Sequence, residues 1–87
     1  MKIPIILLFN QAIIQRGKAM KVESRIISSI SYDEDYKTLE ITFHRTGQYQ
    51  YYDVPKDVWD RFSKSPSKGE FFHQEIKKRF NWQKVVE

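Results

Sequence analysis

Thr38-Leu39-Glu40-Ile41-Thr42-Phe43-His44-Arg45-Thr46-Gly47-Gln48-Tyr49-Gln50-Tyr51-Tyr52-Asp53 is the stretch on which the fold turns. From Thr38 to His44 the residues alternate, with Leu39, Ile41 and Phe43 on one face and Glu40, Thr42 and His44 on the other. That pattern predicts a half-buried strand. Arg45-Thr46-Gly47 reads as a turn and Gln48 to Asp53 as the next strand. Their register decides which way Tyr49 and Tyr51 point. A two-residue turn at Thr46-Gly47 would pair Thr42 with Tyr51 and leave both rings in water as a stacking platform. It needs positive φ at both central positions, which β-branched Thr46 resists. A three-residue turn needs positive φ only at Gly47; it pairs Phe43 with Tyr49 and Ile41 with Tyr51. Tyr49 and Tyr51 then join the apolar face as structural residues, their hydroxyls reaching a partner or the rim. Gln48, Gln50 and Tyr52 go outward beside Thr42 and His44.

Upstream, Ile26 to Tyr32 is β-branched and bounded by the acidic turn Asp33-Glu34-Asp35, so it reads as a first strand. Short connections make the three strands an antiparallel meander. Downstream, Val54-Pro55 changes the period. Val58, Trp59 and Phe62 follow at helical spacing, predicting a helix from Pro55 to about Ser63. Ser65-Pro66-Ser67 breaks it. Ser67-Lys68-Gly69-Glu70 has the form of a capping box, opening a second helix with Phe72, Ile76 and Phe80 on one stripe and Lys77 and Lys78 near its C-terminal end. Trp82 to Glu87 reads as a tail. The expected class is α+β, a three-stranded antiparallel meander followed by two helices on one face. The expected core is Ile26, Ile30, Leu39, Ile41, Phe43, Tyr49, Tyr51, Val58, Phe62, Phe72, Ile76 and Phe80.

At 87 residues the chain holds one small domain. Hydrophobic residues make up 40% and aromatics 15%, enough for a core. The absence of cysteine excludes disulfides, thiolate zinc sites and a cysteine nucleophile. The net charge of +4 is unevenly placed. Lys2, Arg16 and Lys18 precede any acid, and the rest of the chain is nearly balanced. Positive charge then concentrates toward the C-terminus, where Lys64, Lys68, Lys77, Lys78, Arg79 and Lys84 face only Glu70 and Glu75.

Residues 1–19 stand apart. Ile3-Pro4-Ile5-Ile6-Leu7-Leu8-Phe9 is apolar but too short for a bilayer span, which takes about 20 residues. No small-x-small cleavage site follows it cleanly. Arg16-Gly17 is compatible with a purine-rich ribosome-binding stretch before the Met20 codon, so one reading makes residues 1–19 an upstream extension. A disordered or weakly docked arm, a targeting segment and a weak interfacial anchor are the others. The working domain is expected over residues 20–82, with 83–87 a tail, in the cytoplasm.

The segment from about Glu23 to Phe80 resembles the KTSC domain, a small module named for its place at the C-terminus of some lysyl-tRNA synthetases. The resemblance rests on Ser28-Ser29, Tyr32-Asp33, Leu39, Ile41, Phe43, Tyr49-Gln50-Tyr51, Val54-Pro55, Ser67-Lys68-Gly69, Phe72, Ile76 and Arg79-Phe80, in order and spacing. It implies a free-standing domain of bacterial or phage type and, through the synthetase context, RNA as a ligand. Aminoacylation is not implied, since no synthetase catalytic domain is present.

The expected RNA contacts are Lys64, Lys68, His73, Lys77 and Lys78 as a phosphate-contacting stripe. Tyr52 and His44 are expected on the outer face as stacking or hydrogen-bonding groups. The competing structural account is a solvated helix face and a lone surface tyrosine. Val54, Pro55, Ser67 and Gly69 are expected to serve the fold, Ser67-Lys68-Gly69 as a cap with a close-packed glycine. His44 and His73 lack further ligands at metal spacing, so neither metal nor cofactor is expected, and no catalytic constellation is present. The alternative to RNA is a protein partner meeting the sheet edge or outer face. A monomer is favoured.

Overall fold

The structure is a computed structural model and describes residues 19–85. The readings of the apolar run before Ala19 lie outside the described residues. Among the described residues there are five strands: β1 (Met20–Lys21), β2 (Ile27–Asp33), β3 (Thr38–Phe43), β4 (Gly47–Tyr51) and β5 (Trp82–Lys84). Between β4 and β5 come α1 (Lys56–Lys64) and α2 (Lys68–Phe71), which continues as a π-helical turn over Phe72–Ile76. The strands lie in sequence order, each antiparallel to its neighbour. The α+β class and the central meander hold, but the sheet has five strands rather than three. β1 and β5 are too short to show alternation. β5 lies where a tail was expected, extended past its ladder by Val85 N–H donating to Gln48 O at 2.8 Å.

Gly47 takes the positive φ that the turn requires, at 96°. The pairing differs from expectation, because Phe43 meets Gly47, Ile41 meets Tyr49 and Leu39 meets Tyr51. The loop is thus His44-Arg45-Thr46, and β4 slides two residues along β3. An even displacement keeps every side chain on its face, so the tyrosines still point inward.

A β-bulge between Ile27 and Ser29 corrects the first strand. The extra residue reverses the alternation before it. Ile27 is therefore buried completely, whereas Ile26, expected in the core, is 38% exposed. Ile26 instead packs beside α2, where a Cβ on Gly69 would stand 3.2 Å from its Cδ1. Gly69 thus allows the close approach expected of it.

Two inward-facing rows cross the sheet, Met20–Ile30–Ile41–Tyr49–Lys84 and Tyr32–Leu39–Tyr51–Trp82. Val58 and Phe62 from α1, with Phe72 and Ile76, cover their middle. Val54 fastens α1 to the sheet. Its N–H donates to Lys37 O at 2.9 Å, and its carbonyl accepts from the Tyr32 hydroxyl at 2.6 Å. Pro55 is the cap residue before α1 rather than its first helical residue.

The expected capping box does not form, as Ser67 makes no side-chain cap bond. Ser65 Oγ accepts the Ser67 N–H instead, and Glu70 turns to Gln74 one turn on. Beyond Phe71 the helix widens, and Lys77 N–H donates to Phe72 O at 2.8 Å, an i→i+5 bond. Phe80, expected to complete the stripe, lies past the helix and is only partly buried.

Candidate functional site

The helices do not cover the whole inner face. Near the β3–β4 turn and β5 they leave a groove of about 250 Å³, walled by Phe43, Tyr49, Tyr51, Phe72 and Trp82 with Lys77 on its rim. Its depth comes from Tyr51 and Phe72, 4% and 5% exposed, while Trp82 at the edge is 55% exposed. The rings meet edge to face. Phe43 lies 5.5 Å from Tyr49 at 84° and 5.2 Å from Phe72 at 66°; Tyr51 lies 5.7 Å from Phe72 at 77°. This is the arrangement ring quadrupoles favour.

The local sequence explains each wall. Trp82 and Lys84 pair directly with Tyr51 and Tyr49, so they project to the same side. Trp82 tilts against Tyr49 at 5.4 Å, and Lys84 Nζ stands 6.0 Å from the Tyr49 ring centre. Lys77 is placed by the π turn. In an α-helix, residues five apart point about 140° away from each other. The widened turn gives Lys77 the place of an i+4 residue, on the Phe72 side.

Burial, reinforced by neighbouring Tyr49, pushes the Tyr51 phenol up to about 12. It therefore remains a neutral donor-acceptor at ordinary pH. A second depression of about 580 Å³ wraps the β3–β4 turn, shares Phe43 and Thr46 with the groove, and is flanked by His44, Arg45 and Lys84. Among the described residues, no acidic side chain lines either one.

The residues expected to contact RNA are dispersed. Lys77 enters the groove wall; Lys78, next to it, does not. Lys64 ends α1, exposed. Lys68 is half-buried and donates to Ser65 O at 2.6 Å, closing the α1–α2 connection. His73 is exposed, its ring against Phe72 at 5.5 Å. His44 Nε2 lies 3.0 Å from Ser24 O at the hairpin end. Tyr52 sits on the opposite, outer face, where its hydroxyl donates to Gln50 Oε1 at 3.0 Å and lies 3.4 Å from Gln83 Oε1. On that face Glu40 accepts from both Gln48 and Gln50, at 3.0 and 2.8 Å.

Sequence reasoning counted Lys84 among the C-terminal bases without placing it beside Tyr49, read Trp82 as part of a tail, and did not single out Arg45. Among the described residues no three His, Cys, Asp or Glu side chains gather as a metal site, and no helix is long and apolar enough to cross a membrane.

Comparison with known proteins places this geometry. The KTSC domain family model matches residues 23–80. A KTSC domain protein of Yersinia pestis, known from its crystal structure, superposes with a TM-score of 0.78 at 40% identity, covering 80% of this chain and 99% of that one. A protein of Tsukamurella paurometabola is 36% identical over 59 residues, which are 68% of this chain and 88% of its own length. A lysine–tRNA ligase of Nostoc punctiforme is 33% identical over 66 residues, 76% of this chain but only 12% of the enzyme. The chain belongs to the KTSC domain family.

Proposed function

We propose that this KTSC domain is a small non-enzymatic binding module for unpaired RNA, working in the cytoplasm, with the aromatic groove as its contact surface. The observation that carries the reading is a ring-lined groove with Lys77 in its lining, no acid among its described lining residues, and Lys84 of the adjoining depression 6.0 Å from its Tyr49 ring. Aromatic faces accept bases whatever their sequence, and the amines meet the phosphates. The occurrence of similar residues within a lysine–tRNA ligase supports RNA as the polyanion. The expected basic helical stripe narrows to Lys77; Lys64, Lys68 and Lys78 then add only long-range attraction.

Lys77 and Lys78 supply the test, since they are adjacent and equally charged while only one lines the groove. A labelled single-stranded RNA and a hairpin are titrated at two salt concentrations. We expect Lys77→Gln to weaken single-strand binding about tenfold, as loss of a charge-assisted contact does. Lys78→Gln should change it about twofold or less, through the general field alone. Equal effects of the two variants would refute the groove as the contact. Absence of binding to either RNA by the folded protein would transfer the module to protein partners.

A further inference from the structure

Resting on that reading, we infer that the groove admits one unpaired nucleotide at a time, base inward and phosphate at the mouth between Lys77 and Lys84. The first support is size. A space of about 250 Å³ falls below the roughly 300–1,000 Å³ of sites that enclose drug-sized ligands. A single planar ring system fits such a space, and one base is the occupant assigned to it. The second is shape. The inner wall is closed by buried Tyr51 and Phe72, while Trp82 and the β3–β4 turn leave the outer side open. A flat apolar ring enters first and its charged remainder stays outside.

The third is charge. The π turn sets Lys77 on the Phe72 side, and β5 sets Lys84 over Tyr49. The adjoining depression, with His44, Arg45 and Gln48, continues from that mouth as a seat for the sugar and the next phosphate. A base in a duplex has both faces occupied by stacking and cannot enter. The residues lining the groove that carry a hydroxyl are Tyr49, Tyr51 and Thr46. Each can donate or accept, so the site discriminates poorly among bases.

The test is a nuclear magnetic resonance titration of the whole chain with uridine, uridine 5′-monophosphate, a uridine tetranucleotide and an RNA duplex. The monophosphate should move the Trp82 indole N–H and the Lys77 and Tyr49 amides saturably. Uridine should move the same signals about tenfold more weakly, for loss of the charged contact. The duplex should leave them in place. Trp59, stacked on Tyr32 away from the groove, should not respond to any of the four. Trp82→Ala removes an exposed edge ring, so it should keep the Trp59 signal and lose the monophosphate response. If the tetranucleotide moves the groove signals and the monophosphate moves nothing, the single-nucleotide inference falls while RNA binding stands. If the tetranucleotide moves only Gln50, Tyr52 and Gln83, the groove itself is overturned. No response to any single-stranded probe refutes the RNA reading and this inference with it.

Discussion

Two tyrosine–tryptophan pairs, one on the β2 side of the sheet and one on the β5 side, are nearly identical in separation and opposite in use. Tyr32 stacks on Trp59 with centroids 5.5 Å apart and planes 9° from parallel. Tyr49 meets Trp82 at 5.4 Å and 56°. The Tyr32 hydroxyl is spent on Val54 O at 2.6 Å, and the ring is 8% exposed. On the β5 side Trp82 is 55% exposed, and Tyr49 lines a groove. Composition cannot tell these pairs apart. What separates them is whether a helix seals the rings and whether the polar end already has a backbone partner.

The largest test of this contrast compares one residue from each side. Phe62, without exposure, should cost about 3–5 kcal/mol when replaced by alanine. Trp82→Ala should cost under about 1 kcal/mol, because much of its ring already faces water. Denaturant unfolding reads both, and equal losses would mean that the β5 side is core after all.

A sharper test is pH. The Tyr51 phenol is raised to about 12 by burial, then by Tyr49. Its neutral form is favoured in the folded state, so its contribution is complete below the unfolded value near 10 and is lost as pH climbs toward 12. In that window the loss is about 1.4 kcal/mol per unit. Thermal melts of Tyr51→Phe against the parent should converge on a shallower alkaline slope for the variant; identical slopes would place the ring in water.

The smallest effect concerns the hydroxyls. Tyr32→Phe removes a buried bond to Val54 O and should cost about 1 kcal/mol, lowering Tm by about 4–8 °C in a domain of this size. Tyr49→Phe should leave Tm within about 2 °C, since Tyr49 is only partly buried and lines the open groove.

The inner and outer faces of β3 and β4 were legible because alternation and the demands of Gly47 agree. Even a two-residue error in register preserved that result. The bulge in β2 was not legible. Ile26 and Ile27 are chemically alike, and only pairing against Phe43 selects Ile27. β5 escaped because three residues define a strand only through their neighbour. The π turn escaped because Phe72, Ile76 and Phe80 fit an α-helical stripe equally well, and the widening that redirects Lys77 has no local signature. The groove was the least legible feature. Alternation assigns Tyr49 and Tyr51 to a face as simply buried or exposed, whereas that one apolar face is sealed at its centre and open near its edge.

Glu40 offers each of its carboxylate oxygens to a different glutamine, Gln48 and Gln50. A slide of β4 by two positions would oppose Tyr52 to the acid in one direction and Gln48 in the other, and would break the present pairing with Gln50. The wet side of the hairpin thus carries a clasp, two amides on one carboxylate, that fits the same alignment as the rings across the thickness of the sheet.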